Sequence, residues 1–169
     1  VGKIGLDAGP IMASADRFDI VITGVGSHGA YPHTGVDPIV VGSHVVAALQ
    51  TVVSREEPPL APVVVTVGTF QGGTAFNVIP SHVKLSGTVR TVDTRIREEM
   101  PTRLERIVRG ITAGMRAECN INYTFGYPVT VNDLDKAQFA RRVAGGIVGE
   151  ANVVSVGMSM GAEDMAYFL

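Results

Sequence analysis

The sequence predicts an α+β fold with the element order β-α-β-β-α-β, and three observations predict it. Four segments alternate apolar with polar residues or run β-branched, which is the period of strands. Two others repeat apolar residues at steps of three and four, the period of helices. The two kinds interleave in that order across residues 18–128. Connection rules fold this order into one four-stranded antiparallel sheet with both helices on one face, a ferredoxin-like sandwich.

Each element has its own local reason. Phe18, Ile20 and Ile22 alternate with Asp19, Val21 and Thr23, so residues 18–23 form the first strand. Asp37 can cap a helix and Pro38 suits its first turn. The first helix therefore covers 37–54, with Val41, Val45, Ala48, Leu49 and Val52 as its apolar stripe, and Pro58-Pro59 bounds it. Residues 62–69 are β-branched and uncharged, the second strand. In 81–91, Val83, Leu85 and Val89 take one face of a third strand, while His82, Lys84, Ser86, Thr88 and Arg90 take the other. Ile96, Met100, Leu104, Ile107, Ile111 and Met115 mark the second helix. Pro101 removes a backbone donor there, so either the helix proper begins near Met100 or it kinks at a cost of ~3 kcal/mol. Ile121, Tyr123, Phe125 and Tyr127 alternate in the fourth strand. With helices on one face only, the polar face carrying His82 to Arg90 must meet solvent, a partner or another domain.

The flanks, 1–17 and 129–169, have no place in the sandwich. The second holds a helical stretch at 134–148 and a short strand at 153–156, so both flanks are assigned to a second domain present only in part. The chain opens on Val1 and stops at Tyr167-Phe168-Leu169, apolar residues inside what reads as a helix start. An excised segment is expected.

Composition excludes several classes. At 169 residues, 46% hydrophobic and 18% charged, the chain can bury a core. Fourteen Lys plus Arg against sixteen Asp plus Glu give a net charge of -2, so no basic field attracts nucleic acid or anionic lipid. No apolar run reaches the ~18 residues of a membrane helix, and no secretory pattern opens the chain. With a single cysteine, Cys119, this points to the cytoplasm. The four histidines fit no zinc-ligand spacing, and neither GxSxG nor a P-loop occurs, so no metal ligands are assigned. Glu56-Glu57, ahead of Pro58-Pro59, read as solvated loop charges. His44 and His82 read as ordinary surface residues.

Two loops stand apart. In 26–33, glycines flank His28 at a strand end, so backbone can approach a ligand while the imidazole points outward. In 72–80, glycines precede Asn77, which could equally bond its own backbone in a turn.

Together, GSHGAYPHTGVDPI, VGTFQGGTAFNVIP, GTVRT and MGAEDMAYFL resemble, in order and spacing, the zinc amidohydrolases that include aminoacylase and carboxypeptidase G. The resemblance is closer to their branch of hippurate hydrolases, N-acetyl-diaminopimelate deacetylases and indoleacetyl-amino acid hydrolases. It implies a ferredoxin-like lid, or dimerisation domain, at 18–128, with 1–17 and 129–169 as pieces of the catalytic domain. It implies hydrolysis of the amide bond of small N-acyl amino acids by two divalent metal ions, Zn or Mn, whose ligands and Glu general base lie outside this sequence. His28 would stabilise the oxyanion, reaching across a homodimer formed by the edge strand 62–69 and helix 37–54. Asn77 and Arg90 would bind substrate, Arg90 through its carboxylate, since a guanidinium offers two parallel donors. Glu163 would be a pocket or supporting residue, with a helix N-terminal charge as the plain alternative, and Met165 stands where the family has Phe. His33 reads first as a loop anchor through a backbone bond, with a place in the pocket beside the catalytic residues as the alternative. The competing class is a non-catalytic module of the same fold that binds a small ligand or dimerises.

Overall fold

The computed structural model describes residues 2–169. Two short strands, β1 (Ile4–Gly5) and β2 (Gly9–Met12), precede β3 (Ala15–Thr23) and the two-residue β4 (Ser27–His28). Helix α1 (Pro38–Glu56) leads to β5 (Val63–Gly72), β6 (Val78–Ile79) and β7 (His82–Thr91). Helix α2 (Thr94–Gly114) is followed by β8 (Glu118–Tyr127), β9 (Thr130–Asn132), α3 (Leu134–Val148) and β10 (Val153–Val154).

The main sheet is antiparallel, in the order β5-β7-β3-β8. That is second-third-first-fourth in chain order, the arrangement expected of the β-α-β-β-α-β connectivity. Phe18, Ile20 and Ile22 of β3 and Val83, Leu85 and Val89 of β7 meet Val41, Val45, Leu49 and Val52 of α1. Met100, Leu104 and Val108 of α2 complete this one core. Truncating a fully buried member such as Leu49 to Ala costs ~2 to 5 kcal/mol. Both helices start on an aspartate: Asp37 accepts from the backbone N–H of Ile39 at 2.9 Å, and Asp93 from that of Arg95 at 2.8 Å.

Several expectations need correction. β3 begins at Ala15, not 18, because Asp16 occupies an inward position of the alternation and masks it. β5 runs on to Gly72, with a bulge between Val67 and Thr69. In β8 the register slips opposite Asp16, so Phe125 and Tyr127 stand exposed rather than inward. Helix α2 does not begin near Met100 but runs through Pro101 from the Asp93 cap. Glu56 and Glu57 are not merely solvated: Glu57 pairs with Arg103 and Glu56 with Arg106 at 2.6 Å, clasping α1 to α2. Finally, α1 is long and apolar enough, by length and composition, to cross a membrane. Its apolar stripe packs on the sheet, which accounts for that composition.

The flanking elements bond among themselves. β1 pairs with β10 in parallel, and β2 with β9 antiparallel. Neither pair joins the main sheet. The predicted strand at 153–156 shortens to Val153–Val154, because the backbone amides of Val156 and Gly157 turn instead to the Asp7 carboxylate at 2.8 and 2.9 Å. A bond from the Ser155 side chain first, then those amides, holds Asp7 below the usual carboxylate range.

Candidate functional site

The two loops singled out from the sequence form one structure. β4 pairs with β6, setting Ser27 opposite Ile79 and His28 opposite Val78. The Gly29 amide donates to the Asn77 carbonyl at 2.8 Å. A side chain at position 29 would put its Cβ only 2.9 Å from that same oxygen, so glycine is what allows the loops to touch. A mutual pair of backbone bonds between Val25 and Val36, both 2.9 Å, closes the base of the His28 loop.

His28 is exposed, and its Nδ1 accepts from the Ala30 amide at 3.1 Å. In the neutral imidazole the proton then resides on Nε2, which faces away from that bond as a free donor. Tyr31 packs beside the ring with centroids 5.7 Å apart. Asn77 uses only its backbone oxygen, leaving its carboxamide unengaged at the surface. Next to it lies a cavity of about 470 Å³ lined by Gly29, Asp37 and the 72–80 loop, and a second of about 500 Å³ extends to His82 and Lys84.

Arg90 is elsewhere. It lies at the far end of β7, on the sheet face the helices leave open, opposite Val64 of β5. Eight residues of extended strand separate it from His82, beside the loop pair, a span of ~27 Å. Its Nε donates to Thr88 Oγ1 at 3.2 Å. On the same face Asp19 accepts from Arg17, twice at 2.8 Å, and from Ser86 Oγ at 2.6 Å. The Arg17 bonds, then that of Ser86, hold the Asp19 carboxyl below its usual range.

The remaining candidates fall outside both clusters. His33 sits in a short 3-10 turn, Pro32–Thr34, and the expected anchoring bond is not made. The loop is held instead by the Thr34 hydroxyl on the Tyr31 carbonyl at 2.8 Å, and His33 meets Tyr31 ring edge to face. Glu163 caps the 3-10 turn Asp164–Tyr167, accepting from the Met165 amide at 3.4 Å, so the plain reading describes its contact. It lies toward the Arg90 end, since Tyr167 of that turn meets Tyr127 ring edge to face. His44 and His82 are exposed. Among the described residues, no group of three His, Cys, Asp or Glu converges to hold a metal ion. A two-metal centre therefore does not fit the side chains of this chain.

Sequence reasoning missed one cluster. Asp16 is buried and accepts from Arg97 Nη2 at 2.7 Å, Tyr123 Oη at 3.0 Å and the Gly126 amide at 3.0 Å. An acid two residues before Phe18, on the inward parity of the strand, was the available signal.

Comparison with known proteins fits this geometry. Residues 14–115, the first three strands of the sheet and both helices, match the family model of the peptidase dimerisation domain. The N-acetyl-L-cysteine deacetylase of Bacillus subtilis is 39% identical over 169 residues, 100% of this chain and 40% of that protein. The N-acyl-L-amino acid amidohydrolase of Geobacillus stearothermophilus is 47% identical over 131 residues, 78% of this chain and 35% of that protein. A Bacillus subtilis structure described as a dinuclear metal-binding peptidase of the M20 family superposes with a TM-score of 0.79 at 32% identity, covering 99% of this chain and 41% of that one. The chain spans about 40% of the length of the curated relatives it matches.

Proposed function

The chain belongs to the peptidase dimerisation domain family, and from that premise we propose that it is the lid and dimerisation part of an amidohydrolase that cleaves N-acyl amino acids. The relatives just described, which act on N-acetylcysteine and on N-acyl amino acids, support the substrate class. Residues 15–128 are the lid, and the flanking strands with α3 belong to the catalytic domain. Because the described residues do not fit a metal pair, this chain's part in the reaction rests on its own side chains.

Those side chains divide the work. The Nε2–H of His28 donates to the carbonyl oxygen of the scissile amide, and more strongly as that oxygen gains charge in the tetrahedral transition state. The Asn77 carboxamide offers a further donor beside it. Arg90 holds the free carboxylate of the substrate, which fixes the scissile bond in register with His28. A single observation carries the two-chain form of this reading: β7 runs ~27 Å from His82, beside the loop pair that holds His28, to Arg90, further than a small N-acyl amino acid spans. One chain cannot bring both to one substrate. Two chains related by a two-fold axis can, each site taking Arg90 from one protomer and His28 with Asn77 from its partner.

The edge of the sheet supplies the contact. β5 has one free side, and its strand carries no charge. The adjoining outer face of α1 is uncharged for about three turns, through Ser43, Ala47, Gln50 and Ser54. A homodimer joined there forms one continuous sheet.

The test uses two crippled variants of the whole hydrolase. His28→Ala and Arg90→Ala homodimers are each impaired, but a mixed dimer holds one site with both residues intact. Random mixing is expected to recover about a quarter of wild-type activity. Mixed dimers that form and recover nothing overturn the division of the site between protomers.

A further inference from the structure

We propose that Thr88 is the positioning residue of Arg90, holding its guanidinium so that only the Nη1/Nη2 fork meets the substrate carboxylate. The inference rests on the reading of Arg90 as the carboxylate clamp.

Thr88 lies two residues before Arg90 on β7 and on the same open face, so the two side chains are neighbours by the period of the strand. Its hydroxyl donates to the Asp16 carbonyl at 2.8 Å and accepts from Arg90 Nε at 3.2 Å. A hydroxyl has one hydrogen and two lone pairs. With the hydrogen committed to Asp16, a lone pair is turned to Arg90. The Asp16 anchor does not yield, for its buried carboxylate is held by Arg97, Tyr123 and the Gly126 amide, joining β3 to α2 and β8.

The consequence is chemical. A guanidinium can grip a carboxylate through Nε and one Nη, or through both Nη atoms. Thr88 occupies Nε and so removes the first mode. The fork stays free: among the described residues Arg90 makes no ion pair, whereas Arg17, its neighbour across the same face, is spent on Asp19. Half-buried, unpaired and already oriented, Arg90 loses little freedom on binding.

The experiment compares Thr88→Val, Thr88→Ser and Arg90→Ala in the whole hydrolase, on an N-acyl amino acid and on its carboxamide analogue. Valine keeps the shape and the strand preference of threonine, and thermal melting confirms folding. Thr88→Val is expected to raise KM for the free acid roughly 3- to 10-fold, the size of one hydrogen bond, with kcat and the carboxamide substrate unchanged. Thr88→Ser restores KM, and Thr88→Val adds nothing on top of Arg90→Ala. An unchanged KM, an equal rise for both substrates, failure of serine to rescue, or full additivity each overturns the proposal. If Arg90→Ala keeps the wild-type preference for the free acid, the clamp reading itself falls. If Arg90→Ala abolishes that preference while Thr88→Val is silent, only the role of Thr88 falls. A measurement on this chain alone separates the contact from any activity: the Arg90 Nε–H exchanges with water more slowly in NMR than that of exposed Arg95, and Thr88→Val removes the difference. Equal rates in the wild type overturn the contact.

Discussion

Asp16 is the residue on which both the packing and the proposed clamp depend. Its side chain is fully buried and the Arg97 side chain beside it is 12% exposed, so the pair lies largely outside solvent. Removing one partner from such a pair costs ~3 to 5 kcal/mol, because the other charge is left without compensation. The bond to Asp16 raises the Arg97 guanidinium. Tyr123 donates its phenol to the same carboxylate, and burial first, then that negative charge, pushes the phenol far above its ordinary range. The sign of the pH effect follows. The folded state holds the proton while an unfolded tyrosine releases it near pH ~10, so the contribution is complete below ~10 and is lost as pH rises beyond it. Tyr123→Phe is expected to lose about 1 kcal/mol at neutral pH by urea titration, with the gap to wild type narrowing above pH ~10. A gap independent of pH up to 11 contradicts that account.

At the scale of elements, the two free edges of the sheet differ. β8 is covered at its far end, where Tyr127 meets Tyr167 edge to face with centroids 5.9 Å apart, while β5 is bare. Within β5 the alternation decides which residue can report on pairing. Val65 is buried against the helices, so changing it attacks the core, whereas Thr66 is exposed. Thr66→Lys places like charges near each other across the proposed two-fold axis and is expected to yield monomers by light scattering, without loss of melting temperature. An unchanged dimer rules out this edge. Helix α2 shows the opposite balance of local and tertiary terms. Pro101 interrupts its bond ladder, yet Met100, Leu104 and Val108 are all buried, and such packing outweighs the ~3 kcal/mol that proline costs.

At the scale of the molecule, the sandwich carries its candidate residues at two poles. His28 and Asn77 project at one end, and Arg90 faces out at the other, next to the strands that pair outside the main sheet. Each pole serves a different stage of the proposed reaction, so their kinetic signatures separate. In the proposed role His28 acts on charge that exists only in the transition state, and His28→Ala is expected to lower kcat ~100- to 1,000-fold with little change in KM. The proposed clamp at Arg90 would act already in the ground state, and Arg90→Ala is expected to raise KM for free acids. A large KM effect from His28→Ala contradicts the oxyanion role.

Much of this was legible in the residues alone. The two strand faces, both helix caps and the β-α-β-β-α-β order follow from periods of two and 3.6, which act over a few neighbours and need no tertiary partner. The predicted span of α3, 134–148, is the span observed, because Asp133 and Gly149 stop it locally. The loops of His28 and Asn77 were recognisable too, as glycine-flanked polar residues. What only the tertiary structure decided was long-range. It joined those two loops through β4 and β6, buried Asp16 under Arg97, and shifted the register of β8 by a bulge. It also put the length of β7 between the loop pair, at its His82 end, and Arg90. Pairing across 50 to 110 residues depends on which surfaces exclude water together, and no local period encodes that choice.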